Sequence, residues 1–327
     1  MHRRSLLGAA AIAALATVAA PVAHAQDDQI TIALVPGLTT DAFYITMERG
    51  ARAAAEALGV ELVFQGAPEF NPVLQVPVLD AVIASAPDAI LIAPTDTTQL
   101  VEPLRRAHDA GIAVITVDTF IGDGVYQTGA GDDDFVLSYI ASDNVLGGRI
   151  AARALANAIG GEGEVYVSNV NPGISTTDQR EEGFKLEMAE NFPGITVLET
   201  QYNENDANNA AAQLQAVLAR SPDLKGVFGA NLFSALGAAN GVQQAGETGN
   251  IRVVAFDAPG SIVDNISTGL VDVAIAQHPA EIGYYGVVSA YAHLTGQSIP
   301  VAIGTGFTII DASNYQDPEV ARYIYSE

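Results

Sequence analysis

Four polar side chains in this sequence stand directly after short apolar runs. Asp118 follows "AVITV", Asp257 follows "VVAF", Asn231 follows "GVFGA" and Gln277 follows "VDVAIA". An ionised carboxylate only accepts hydrogen bonds, whereas the two amides both donate and accept them. Each residue alone fits a helix cap or a turn equally well. Four of them in equivalent places favour a site for a molecule with several hydroxyl groups, because each hydroxyl donates one hydrogen bond and accepts others.

The apolar runs belong to a regular alternation of strand-like and helix-like segments. Buried parallel strands are predicted at 30–35, 60–64, 89–93, 112–117, 164–168, 195–199, 226–230, 251–256 and 271–276. The stretches between them have helical periodicity, as in the helix predicted from near Phe43 to a stop at Gly59. This order predicts an α/β fold of two doubly wound domains. Ligands bind beyond the carboxyl ends of such strands, so Asp118 and Asp257 would lie at the edge of a cleft.

Composition excludes several classes of function. The chain has 327 residues, which suits two domains, and no Cys, so disulfides, thiol catalysis and thiolate metal sites are excluded. It carries 14 basic and 38 acidic residues, a formal net charge of -24. Nucleic-acid binding needs clustered Lys and Arg and is therefore not expected.

The first 25 residues are predicted to be a signal peptide. Arg3 and Arg4 precede an apolar stretch, and a small-x-small pattern ends at Ala25, where we expect cleavage. The pair of arginines leaves the general and the twin-arginine export routes open. No Cys stands at the cleavage point, so we expect an exported, soluble periplasmic protein without a lipid anchor.

Residues 120–135 lack either periodicity and are predicted to be a loop. The run Asp132, Asp133 and Asp134 invites a calcium interpretation, and so do Asn203, Asn205 and Asp206. Neither segment has the alternating ligands and the glycine of a calcium-binding loop, so a solvated acidic loop is the favoured interpretation for 120–135. No metal or other cofactor is predicted.

Several longer stretches resemble the periplasmic ribose-binding protein family, the sugar-binding proteins of ABC importers. They are "APTDTTQL" (93–100), "IASDNVLGGRIA" (140–151), "GVFGANLFSALGA" (226–238) and "VDVAIAQHPAEIG" (271–283). The resemblance implies a type I periplasmic binding protein, with two α/β domains joined by three crossover segments near Ser142, His278 and Phe307. The implied domains are residues 26–142 plus 279–306 and residues 143–278 plus 307–327. It also implies a monomer that delivers a small sugar or polyol to a membrane permease.

The same resemblance implies a set of ligand contacts. Residues that match the family's sugar contacts are Phe43, Tyr44, Asp118, Asn231, Asp257 and Gln277. Five residues depart from the family's pattern. Asp41 and Ala93 each replace an Asn, and Thr119 and Asp178 each replace an Arg that contacts ribose. Asn205 replaces an aromatic residue. Arg180, two residues after Asp178, is retained.

These departures argue against ribose as the ligand. By this match, both arginines that contact ribose are absent, since Thr119 and Asp178 stand in their places. The expected cleft carboxylates are four: Asp41, Asp118, Asp178 and Asp257. Carboxylates that face one another without a donor take up protons, so a donor-rich neutral sugar or polyol, or a molecule with an amine, is expected. If Asp41 and Asp178 only cap helices, two cleft carboxylates remain and a neutral ligand is sufficient.

Three other functions are alternatives to sugar transport. A secreted hydrolase could use two facing carboxylates, but the chain has no catalytic motif and no His linked to a nucleophile, so no enzyme is predicted. A sugar-responsive transcription regulator would need a helix-turn-helix where the signal peptide stands. A receptor that presents a sugar-like signal to a membrane sensor, such as an autoinducer or a chemotaxis ligand, remains an open alternative.

Overall fold

The computed structural model describes residues 29–325. The predicted signal peptide, residues 1–25, therefore lies outside the described residues. Within 29–325 the strands form two sheets, and helices cover them. The predicted α/β class with two doubly wound units is confirmed.

The first sheet is built mainly from the first part of the chain. Its strands are β1 (Thr31–Val35), β2 (Glu61–Phe64), β3 (Ala89–Ile92), β4 (Ala113–Val117), β5 (Ser138–Ser142) and β12 (Ala302–Thr305). They lie in the order β12-β5-β4-β3-β1-β2, and each neighbouring pair is parallel. The helices of this half are α1 (Ala42–Leu58), α2 (Pro72–Ala84), α3 (Val101–Asp109) and α9 (Pro279–Leu294).

The second sheet repeats the arrangement. Its strands are β6 (Gly163–Asn169), β7 (Ile195–Val197), β8 (Gln201–Tyr202), β9 (Leu224–Gly229), β10 (Arg252–Phe256), β11 (Val273–Gln277) and β13 (Phe307–Asp311). The order is β13-β11-β10-β9-β6-β7, with β8 on β6, and β13 is antiparallel to β11. The helices of this half are α4 (Asn144–Ile159), α5 (Ser175–Asn191), α6 (Ala207–Arg220), α7 (Leu232–Ala245), α8 (Gly260–Ser267) and α10 (Pro318–Ala321).

The chain passes between the two halves three times. β5 ends at Ser142 in the first sheet and α4 then packs on the second, while β11 ends at Gln277 in the second sheet and α9 packs on the first. The third passage lies between β12 and β13, where Thr305 and Phe307 belong to different sheets. This sheet membership supports the predicted domain limits, which stay a prediction.

The segment 120–135 contains no helix or strand, as predicted. It is not uniformly solvated, however. Asp132 is exposed, but Asp133 is buried, as are Ile121 and Tyr126. Phe120, Ile121 and Tyr126 of this segment pack in one cluster with residues of the first sheet and of α2 and α3. Among residues 29–325 no group of acidic or His side chains is arranged to hold a metal ion, and no helix is long and apolar enough to cross a membrane.

Each half contains at least one helix pair whose backbones approach closely through glycines. In the α1–α9 pair, a Cβ on Gly283 would lie 2.0 Å from the Met47 carbonyl oxygen. In the α4–α5 pair, a Cβ on Gly148 would lie 2.0 Å from the Arg180 carbonyl oxygen. Neither helix pair can approach this closely with a larger residue, because the obstructing atom is backbone and cannot rotate away.

Substitution Gly283→Ala tests this packing. The added methyl group must push α1 and α9 apart, so we expect a loss of about 1–3 kcal/mol in the free energy of unfolding. Denaturant unfolding of the sugar-free protein measures it. Gly304→Ala is the control, because a Cβ on Gly304 would meet no atom within 4 Å. Equal stability of the two variants would contradict the proposed packing.

Candidate functional site

The two strand-end carboxylates occupy the same structural place in each sheet. Asp118 directly follows β4 and Asp257 directly follows β10, and their φ angles are 63° and 75°. The backbone N–H of Asp118 donates to the carbonyl of Ile140 (2.9 Å), and that of Asp257 donates to the carbonyl of Ile275 (3.0 Å). Left-handed backbone at a non-glycine residue costs about 1–3 kcal/mol and is concentrated at functional sites.

A cavity lies between the two halves, beyond the carboxyl ends of both sheets. The residues that line it are Leu38, Asp41, Phe43, Tyr44, Phe70, Asp118, Val170, Ile174, Thr176, Thr177, Arg180, Asn205, Asn231, Asp257 and Gln277. Both halves therefore contribute to one site.

The first half supplies an aromatic and acidic wall. Asp41 begins α1 as its N-cap and accepts from the backbone N–H of Phe43 (2.9 Å). The Tyr44 hydroxyl donates to Asp118 Oδ2 (2.7 Å). The rings of Phe43 and Tyr44 meet edge to face, with centroids 5.1 Å apart. The start of α1 thus presents two rings and one carboxylate beside the carboxylate of β4.

The second half supplies amides and a hydroxyl. Gln277 Nε2 donates to Asp257 Oδ1 (2.8 Å), and Asn231 Nδ2 donates to Asn205 Oδ1 (2.7 Å). Gln277 Oε1 and Thr177 Oγ1 are buried and have no hydrogen-bond partner among the described residues. Buried polar atoms are normally paired, so these two are the atoms that a ligand hydroxyl is best placed to satisfy.

Arg180 is the one basic side chain among the described residues that line the cavity. It is 3 % exposed, and its Nε donates to Asn144 Oδ1 (2.9 Å) while Nη1 donates to the carbonyl of Ala230 (2.9 Å). Its guanidinium stacks 3.9 Å from the ring centroid of Phe256. These contacts hold a positive charge next to the carboxylates of the site.

Burial governs the protonation of the site. Burial is the largest cause that raises the pKa of Asp41 from its ordinary 3.8 to about 7, and the nearby Asp257 carboxylate contributes to the same rise. Burial also raises the pKa of Asp118 to about 6, while Arg180 and the Tyr44 hydroxyl oppose the rise. A ligand that donates hydrogen bonds to these oxygens favours their ionised form.

The structure brings together nearly all of the predicted site residues. Those in the cavity wall are Asp41, Phe43, Tyr44, Asp118, Arg180, Asn205, Asn231, Asp257 and Gln277. Thr119 and Asp178 do not line it. The Thr119 hydroxyl donates to the carbonyl of Pro94 (2.7 Å), and Asp178 accepts from the backbone N–H of Gly173 (2.7 Å) at the start of α5.

The predicted charge count is therefore corrected. Asp178 anchors the loop before α5, so three carboxylates, not four, lie in the cavity wall. Arg180, the basic residue that the resemblance retains, lies in the cavity wall and supplies a positive charge there. Asp41 caps α1 and lines the cavity at once, so the two interpretations of this residue were not exclusive.

Sequence reasoning missed six lining residues, which are Leu38, Phe70, Val170, Ile174, Thr176 and Thr177. Phe70 lies in an irregular segment between β2 and α2, where no periodicity marks a residue as inward-facing. Thr176 and Thr177 open α5 shortly after β6 ends, and polar residues at the first turn after a strand were a signal that could have identified them.

Two α/β units that enclose a hydroxyl- and carboxylate-rich cavity between their strand ends define the class of periplasmic binding proteins. The family model described as periplasmic binding protein domain matches residues 32–298. The chain belongs to this family, and within it to the ribose-binding-protein-like substrate-binding proteins of sugar ABC transporters. Members of this group bind sugars for transport and are not enzymes, which confirms the prediction that no enzyme is encoded here.

Relatives and solved structures agree with this assignment. The ribose import binding protein RbsB of Escherichia coli is 33% identical over 289 residues, which is 88% of this chain and 92% of that protein. The D-ribose/D-allose-binding protein of Pseudomonas aeruginosa is 32% identical over 84% of this chain and 86% of its own length. An ABC transporter solute-binding protein from Agrobacterium vitis, solved with α-D-tagatopyranose, is 76% identical, with a TM-score of 0.91 over 91% of this chain and all of that one.

The raised pKa of Asp41 predicts a pH dependence of stability. Because its folded pKa of about 7 lies above the unfolded 3.8, the contribution of Asp41 to the free energy of unfolding is full below pH 3.8. It is lost as the pH rises to about 7. Asp41→Asn keeps the helix cap, since Asn caps as well as Asp. Between pH 3.8 and about 7, we expect the free energy of unfolding of Asp41→Asn to fall less than that of the parent protein.

Denaturant unfolding at a series of pH values, without sugar, measures this difference. One pKa unit corresponds to about 1.4 kcal/mol, so the effect is large enough to resolve. Parallel stability curves for the parent and Asp41→Asn would show that Asp41 is not buried as an acid of raised pKa.

Proposed function

We propose that this protein is the periplasmic solute-binding component of an ABC importer, and that it binds one monosaccharide in the cavity and delivers it to a membrane permease. The observation that carries the proposal is that Asp118 from the first half and Asp257 from the second half line the same cavity. Export by residues 1–25, a periplasmic location and a monomeric state belong to the same proposal.

Charge and hydrogen bonding support a neutral, hydroxyl-rich ligand. Asp41, Asp118 and Asp257 accept hydrogen bonds when ionised, Arg180 donates them, and Gln277 has an unpaired acceptor. With Arg180 in the wall, no amine on the ligand is required to offset the carboxylates. Phe43 and Tyr44 offer apolar ring surface to the C–H face of a pyranose.

The sugar that we propose to test first is D-tagatose. The Agrobacterium vitis protein that was solved with α-D-tagatopyranose is 76% identical over nearly the whole of the described chain. Ribose is proposed to bind more weakly, because the family's asparagine, arginine and aromatic residue are replaced by Asp41, Thr119 and Asn205, respectively.

Isothermal titration of the purified mature protein tests the proposal. We expect one-to-one binding of D-tagatose and at least about tenfold weaker binding of ribose, the change given by one altered charged hydrogen bond. A panel with D-arabinose, D-allose and an amino sugar covers the other ligand classes. Tighter binding of ribose or of the amino sugar would contradict the ligand assignment, and binding of no sugar would contradict the function.

Thr177→Val tests whether the unpaired hydroxyl contacts the ligand. Valine keeps the shape of the side chain and removes the hydroxyl, so affinity for D-tagatose should fall by about 0.5–1.5 kcal/mol. Thr177→Ser keeps the hydroxyl and is the control, with an expected affinity close to that of the parent. If valine binds D-tagatose as tightly as serine, Thr177 does not donate to or accept from the ligand.

A further inference from the structure

Asp257 is held by a residue from the far end of the described chain. Tyr325 follows α10 and returns to the second sheet, where its backbone N–H donates to the carbonyl of Ala258 (3.0 Å) and the residue forms a parallel bridge with Pro259. Its side chain is buried, with 3 % of the residue exposed. It does not line the cavity, so any effect on a ligand passes through its neighbours.

The Tyr325 hydroxyl joins two parts of the binding wall. It accepts from the backbone N–H of Gln277 (2.8 Å) and donates to Asp257 Oδ1 (3.0 Å). Gln277 Nε2 donates to the same oxygen (2.8 Å). Two donors therefore fix Oδ1, which leaves Oδ2 of Asp257 as the oxygen available to a ligand. Burial raises the pKa of Tyr325 well above its ordinary value, so the hydroxyl keeps its proton.

The ring of Tyr325 also reaches the other half of the protein. Its centroid lies 5.9 Å from that of Phe43, at an interplanar angle of 67°. Phe43 belongs to α1 on the first sheet and lines the cavity. One side chain thus contacts a cavity residue of each half.

We infer that Tyr325 is a positioning residue for sugar binding, which orients Asp257 through its hydroxyl and supports closure through its ring. The inference rests on the proposed function. A residue that merely anchored the C-terminal segment would need only the backbone bond to Ala258 and a buried ring. The hydroxyl bridge between Gln277 and Asp257 is not required for anchoring, and this difference makes the inference testable.

Tyr325→Phe removes the hydroxyl and keeps the ring and the backbone bond. We expect about tenfold weaker binding of D-tagatose, with a small change in the melting temperature of the sugar-free protein. In an Asp257→Asn background the same substitution should weaken binding by less than about threefold, because the two residues act as one unit. An equal loss in both backgrounds, or no loss in the parent, would overturn the inference.

Tyr323→Phe is the matched control. Tyr323 lies in the same segment, its hydroxyl contacts Arg322, and its ring stacks on His278, away from the lining of the cavity. Its affinity for D-tagatose should equal that of the parent. A loss as large as that of Tyr325→Phe would show that disturbance of the segment, and not the hydroxyl bridge, is responsible.

Amide exchange by NMR gives a second readout that needs no sugar. The N–H of Gln277 donates to the Tyr325 hydroxyl, so Tyr325→Phe should accelerate exchange at Gln277 and Tyr323→Phe should not. Unchanged exchange at Gln277 would overturn the positioning role. This measurement decides the role of the hydroxyl even if the parent binds none of the sugars, a result that would contradict the proposed function alone.

Discussion

The binding site depends on one buried positive charge. Arg180 lies among three carboxylates, and burial of so many like charges without a cation would drive them to take up protons. The guanidinium is fixed by the start of α4 through Asn144, by the end of β9 through Ala230 and by β10 through Phe256. The elements of the second half therefore converge on Arg180, and the carboxylates of the first half can be brought against it.

The two halves of the protein share the same structural arrangement around the cavity. Each places an aspartate with left-handed backbone directly after a central strand, and each has helices that approach one another closely through glycines. Asp41 and Phe43 lie at the N-terminus of α1, and Thr177 and Arg180 lie in the first two turns of α5. The cavity therefore has polar groups from both halves in its wall.

The strand ends could be predicted from the sequence, and the direction of individual side chains could not. Apolar runs identify β4 and β10, so Asp118 and Asp257 were found, but "SYIAS" of β5 carries no such run. Asp178 and Arg180 are two residues apart on α5, which separates them by about 200° around the helix. An alignment of sequences does not decide which one faces the cavity. Tyr325 gave no signal, because its partners are distant in the chain and its own segment lacks periodicity.

A crystal structure of the protein with D-tagatose tests the central claim most directly. The account predicts one pyranose between the halves, with ring hydroxyls within hydrogen-bonding distance of Asp118, Arg180 and Asp257. It further predicts that Asp257 contacts the sugar through Oδ2 while Oδ1 keeps its two protein donors. A sugar bound outside the cavity, or one that contacts only a single half, would contradict the account.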